Sequence, residues 1–148
     1  MTARTIAQYR AVGVQPAALS SHGVPGPFIL EYKLFGDQSG ITTVATDTIE
    51  LFTVPAYAGV LIHAGALKTI IAGTASTTLD VQLNTTDVTG LTAWAADATA
   101  GTQLVKVATA ANTLVATSSD LTIKVQINTG GLGSGEWRLR LFGVLLEA

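Results

Sequence analysis

Hydrophobic and polar positions alternate most regularly near the end of the chain. Leu121, Ile123, Val125 and Ile127 alternate with Thr122, Lys124 and Gln126, and Trp137, Leu139 and Leu141 alternate with Glu136, Arg138 and Arg140. A period of two gives a β-strand one dry and one wet face, so both stretches are predicted strands. The segment between them, Asn128 to Gly135, is glycine-rich, and its ability to take positive φ predicts that it returns the chain as an antiparallel hairpin.

Earlier in the chain the same period predicts strands over Phe28–Phe35, Thr48–Val54, Thr77–Leu83 and Gln103–Val107. In the first, Phe28, Leu30, Tyr32 and Leu34 share a face; in the third, Leu79, Val81 and Leu83 point inward against Thr78, Asp80 and Gln82. Ala58–Ala64 and Ala66–Ala72, divided by Gly65, read as two strands that are apolar on both faces, as central or interface strands are. Leu91–Ala95 is either a short strand or part of a long loop held by Trp94, and Thr113–Ala116 is a further short candidate. Thr neighbours and Gly101 argue against a helix in the Ala-rich stretches around residues 93–100 and 108–111. About eight strands without a long helix suit an all-β fold, a two-sheet antiparallel β-sandwich. A jelly roll is the most economical version, with an immunoglobulin-like sandwich as the alternative.

Residues 1–27 break this pattern. Pro16, Pro25 and Pro27 and the run Ser20 to Pro27 sustain no period, which predicts an extended N-terminal arm preceding a sandwich over residues 28–148. A short helical turn around Thr5 to Val12 is the one local element the arm suggests. Fully extended, such an arm reaches about 90 Å, far enough to lie on a neighbouring molecule.

Composition adds one strong constraint. Of 148 residues, 48% are hydrophobic and 12% charged, the latter about half of the roughly 25% usual in soluble domains. So few ionisable groups imply that other subunits cover part of the surface. A net charge of -2 and eight scattered basic residues argue against a nucleic-acid binder. No apolar run approaches the roughly 20 residues of a membrane helix, and the N-terminus has no signal-peptide core. Cys is absent, so neither disulfides nor thiolate metal sites arise.

Candidate chemistry is sparse, and no cofactor is expected. His22 and His63, the two histidines, fall in the arm and in an apolar strand, where a core or interface role is the simpler reading than a shared metal. Glu31, Glu50, Asp80 and Glu136 stand singly on strands and do not form the paired carboxylates of a glycosidase. They read as solvated or intersubunit ion-pair residues. Asp37, Asp87, Asp97 and Asp120 lie where Asp turns the backbone. The glycine run at 130–135 lacks the Lys and the following helix of a phosphate loop. Asn84-Thr85-Thr86 matches a glycosylation sequon but reads as a turn, and no serine sits in a nucleophile elbow. Trp94, in a Thr/Ala-rich segment, is the candidate for an exposed contact, either an interface anchor or a residue that stacks on a glycan.

The Cys-free chain, its breaker-rich arm, its Thr/Ala/Gly-rich strands and the closing Gly-Glu-Trp-Arg-Leu-Arg-Leu-Phe-Gly at 135–143 together resemble the small β-sandwich proteins of tailed bacteriophages, especially capsid decoration (cement) proteins. The resemblance implies a non-enzymatic homotrimer on the capsid exterior, made in the host cytoplasm, with the major capsid protein as partner and neither nucleic acid nor membrane bound. It implies that Arg4, Tyr9, Arg10, Pro16, Pro25 and Pro27 form a capsid-contact arm. Within the apolar strands it makes Val60, Ile62, His63, Leu67 and Ile70 the oligomer contact. A virion fibre head or a trimeric jelly-roll carbohydrate-binding module, using Trp94, is the alternative.

Overall fold

A computed structural model describes residues 5–6, 26–37, 42–54, 59–109, 115–116 and 119–146. The principal strands are β2 (Gly26–Phe35), β3 (Thr48–Val54), β4 (Gly59–Ile71), β5 (Thr78–Leu83), β8 (Gln103–Val107), β10 (Leu121–Asn128) and β11 (Glu136–Leu146). The two-residue strands are β1 (Thr5–Ile6), β6 (Thr86–Asp87), β7 (Trp94–Ala95) and β9 (Val115–Ala116). Sheet A has the order β1-β3-β10-β5-β6, with β7 also on β5; sheet B has the order β2-β11-β4-β8, with β9 also on β4. Among the described residues every pairing is antiparallel except β1 with β3, which is parallel. From β2 to β5, and again from β8 through β10 to β11, successive principal strands alternate between the sheets. This is the jelly-roll arrangement, in which strands distant in sequence become neighbours.

The inward faces build one core between the sheets. From sheet A it takes Ile49, Leu51, Phe52, Leu79, Val81, Ile123, Val125 and Ile127, and from sheet B Leu30, Tyr32, Leu34, Val60, Ile62, Leu67, Leu139 and Leu141. Burying a side chain of this size contributes about 1.5–3 kcal/mol each. The two tryptophans fill the space between the layers. Trp94 comes off sheet A and packs toward Gly65 on β4, where a Cβ would lie 3.3 Å from the indole Cζ2. Trp137 comes off sheet B and donates its Nε1 hydrogen to Ala96 O at 3.1 Å.

Three expectations are corrected. First, β10 and β11 are not a hairpin, because β10 lies between β3 and β5 in sheet A, and β11 between β2 and β4 in sheet B. The glycine-rich link is an arch that crosses the sandwich, with positive φ at Thr129, Gly130 and Gly133 (63°, 98° and 64°). The arch is fastened at its base: Leu132 N donates to Thr43 Oγ1 (2.7 Å) and Thr77 Oγ1 donates to Gly131 O (2.9 Å). Leu132 itself is fully buried and plugs that end of the core.

Second, the two strands expected about Gly65 are one, β4 (Gly59–Ile71). Its register with β11 skips His63 and Ile70, the mark of bulges that insert an extra residue on one strand. The bulge at His63 shifts the inward parity from Val60 and Ile62 to Gly65, Leu67 and Thr69. A strand that changes parity reads in sequence as apolar on both faces.

Third, Thr5–Ile6 is a strand, not part of a helical turn, and it pairs with Thr48 and Ile49 of the same chain. An arm would therefore be tethered to its own sandwich at that point. The rest of the expected turn, residues 7–12, lies outside the described residues.

Candidate interaction surface

The alternation that buries Trp137, Leu139 and Leu141 places Glu136, Arg138 and Arg140 on the outer face of sheet B. Strand register then sets their neighbours. Lys33 of β2, Arg138 of β11, Lys68 of β4 and Gln103 of β8 form one cross-strand row. Glu31, Arg140, Ala66 and Val105 form the next, and Ile29, Phe142, Ala64 and Val107 the one beyond. On the other side of the basic row, Phe35, Glu136 and Ile71 line up. Two cation-bearing rows thus run between apolar margins.

Four of the eight Lys and Arg residues of the chain stand on this face. The sequence reading of scattered basic residues is corrected: they are scattered along the chain and gathered by the register. Two carboxylates share the face, Glu31 at 3.2 Å from Arg140 Nε and Glu136 at 3.7 Å from an Arg138 terminal nitrogen. Both acids therefore form ion pairs within the subunit. Lys33 and Lys68 have no carboxylate partner among the described residues, and Arg138 Nε is buried without a hydrogen-bond partner there. Arg138, Arg140, Lys68, Gln103, Glu31 and Ile70 rim a shallow cavity of about 160 Å³, with Ala66, 8% exposed, among them as its small residue.

The same face also carries the exposed large hydrophobics found among the described residues: Ile29 (45%), Ile71 (51%), Val105 (66%) and Val107 (66%). β8 is an edge strand, so its two outward valines stand at the rim of the sheet. Apolar side chains gathered on one face mark a protein-contact surface more than scattered ones do.

The residues singled out in sequence distribute differently. Val60, Ile62 and Leu67 are core residues, 0–2% exposed, so their side chains are spent inside the subunit. His63 is exposed at the first bulge, which rules out a core role, and Ile70 borders the cavity at the second. Pro27 is exposed on β2 opposite Val144. Arg4, Tyr9, Arg10, Pro16, His22 and Pro25 lie outside the described residues. Among the described residues no three His, Cys, Asp or Glu side chains group as metal ligands.

Trp94 is not an exposed contact. It is 1% exposed, its Nε1 donates to Leu91 O at 2.9 Å, and Lys106 Nζ sits 5.5 Å from its ring centroid. Lys106 in turn donates to Thr92 O at 2.9 Å, which holds its ammonium over the ring. A Thr/Ala-rich setting hid this because the two-residue strand that carries Trp94 is too short to show a period. Several acids hold the backbone as their loop positions suggested: Asp37 Oδ1 accepts from Thr43 N (2.8 Å) and Asp97 Oδ2 from Ser76 N (3.1 Å). Asn84 forms a turn at φ 56°, and its Oδ1 accepts from Thr122 N at 2.9 Å. The outer face of sheet B was the feature sequence reasoning missed. Its one sequence signal was the Arg138-Arg140 pair on the wet side of β11.

No protein-family model and no curated protein sequence matches the chain. Among solved structures, a chain of the capsid of Ralstonia phage GP4 superposes with a TM-score of 0.57 at 16% identity, over 95% of this chain and 97% of that one. A chain of the cyanophage Pam1 capsid asymmetric unit gives 0.57 and 16%, over 93% and 94%. At such identities the likeness is one of fold, and it spans nearly the whole of each chain: the jelly roll seen here is one that phage capsids also contain.

Proposed function

We propose that this chain is a non-enzymatic structural protein of a bacteriophage virion, a decoration or cement protein that stabilises the head by bridging capsid subunits. The observation that carries the reading is the end-to-end fold likeness to chains of two phage capsids at closely similar length. The low charge content supports it, since bridging depends on covered area and multivalency and requires no chemistry. In this reading the protein is a homotrimer on the outside of the shell and its partner is the major capsid protein. Arg4, Tyr9, Arg10, Pro16, Pro25 and Pro27 would add contacts beyond the sandwich. A glycan-binding role through Trp94 loses its basis, because the indole is buried.

Shells prepared without the protein, mixed with the full chain and sedimented, test the proposal. Saturable co-sedimentation with increased heat resistance of the shell is the expected result; a chain that stays in the supernatant overturns it. The native mass of the free protein tests the trimer separately, and a monomer at micromolar concentration removes that part.

A further inference from the structure

We infer that the outer face of sheet B is the docking surface for an acidic protein segment, whose carboxylates seat among Lys33, Lys68, Arg138 and Arg140 while apolar side chains beside them pack on the Val105–Val107 margin. The inference deepens the shell-binding reading and rests on it for the identity of the partner; the kind of partner is argued from the surface itself.

The first argument is electrostatic. Lys33, Arg138 and Lys68 are direct cross-strand neighbours, and like charges placed opposite one another disfavour the sheet that holds them. Among the described residues Glu136 reaches only Arg138, at 3.7 Å, and Glu31 is engaged by Arg140 at 3.2 Å. The row therefore holds uncompensated positive charge, although the chain as a whole is at -2. An incoming carboxylate offsets the repulsion and can pair with the accessible part of the Arg138 side chain, which is 34% exposed. The cavity of about 160 Å³ beside it has room for a carboxylate group.

The second argument selects a protein over other anions. Exposed Ile29, Ile71, Val105 and Val107 border the basic rows, and Glu31 and Glu136 interrupt them. A continuous polyphosphate would meet both apolar surface and negative charge, whereas a folded acidic surface offers isolated carboxylates with apolar neighbours. A second copy of this chain fits poorly. A two-fold contact would set the basic rows toward each other. The more acidic outer face of sheet A points away on the far side of the sandwich, so stacking face on face would continue as an open filament.

The test uses the full chain and a soluble Glu-rich peptide with interspersed Leu, with the peptide bearing Lys for each Glu as control. Side-chain NMR should show saturable shifts of the Arg138 Nε–H and Lys68 signals with the acidic peptide only. Lys68→Glu/Arg138→Glu should lose them, whereas Lys124→Glu on sheet A should retain them. Absence of shifts in the wild type, equal binding by the double variant, or equal affinity for duplex DNA overturns the inference. So does a wild-type oligomer that the double variant converts to monomer, since the face would then belong to a second copy. In the shell assay the double variant should attach about tenfold more weakly or worse, an effect that shrinks with added salt. Wild-type and variant chains that attach alike overturn the docking face and leave the cement reading intact. A wild type that ignores shells but binds the peptide through these residues removes the cement reading and leaves the docking face.

Discussion

The two outer faces of the sandwich are built on the same alternation and meet water in opposite ways. On sheet A, Lys124 lies between Glu50 on β3 and Gln82 on β5, and Gln126 between Thr48 and Asp80. Gln82 Nε2 donates to Asp87 at 2.9 Å and to Gln126 at 3.3 Å, so three polar side chains of that face satisfy one another. On sheet B the corresponding positions set cation against cation and leave large hydrophobics in solvent. One face sets opposite charges and amides side by side; the other sets like charges in one row and leaves apolar side chains exposed. The difference shows that one alternation can specify a shared core while leaving the wet halves of the same strands free to differ in charge and apolar exposure.

The strongest way to break the comparison is to remove the core both faces share. Trp137→Ala should cost about 3–5 kcal/mol, because the ring is fully buried and its bond to Ala96 O is lost. Urea unfolding should show both sheets melting in one transition shifted to lower denaturant. Next in size is the arch. A Cβ at Gly131 would collide with the Thr43 carbonyl oxygen, so Gly131→Ala should cost about 1–3 kcal/mol, read by the same titration.

Smaller substitutions sharpen the contrast by having opposite signs on the two faces. Lys68→Glu places an acid opposite Arg138 and should stabilise the free chain by about 0.2–1 kcal/mol while weakening partner binding. Lys124→Glu places an acid opposite Glu50 and should destabilise it by a similar amount without affecting binding. Thermal melts at low salt measure both, and equal signs would mean that the faces do not differ as described. Smallest of all, Val105→Thr with Val107→Thr should change stability by no more than about 0.5 kcal/mol, since both are mostly exposed, and should be seen only in partner binding.

Much of the fold was legible in the alternation. The inward sets Leu79-Val81, Ile123-Val125-Ile127 and Trp137-Leu139-Leu141 are core residues as read, and the two last strands are central, one in each sheet. What the alternation could not reveal was pairing. It reports which side of a strand is dry and carries no record of the neighbour across it, so β10 and β11 read as a hairpin when each belongs to a different sheet. The bulges of β4 misled for a related reason: one extra residue reverses parity, and the strand then looks apolar on both sides. Trp94 sits in a segment without period, where only the opposite layer shows that the ring is covered.

The interaction surface lay further from reach. Lys33, Lys68 and Arg138 belong to three strands separated by most of the chain, and only the β2-β11-β4 register sets them in one row. Sequence alone determined that this chain would be an all-β sandwich, because burial of alternate residues is a local property of each strand. Tertiary structure alone decided which wet residues meet, because a jelly roll pairs strands distant in sequence, and charge repulsion or satisfaction exists only between side chains that pairing has brought within a few ångströms.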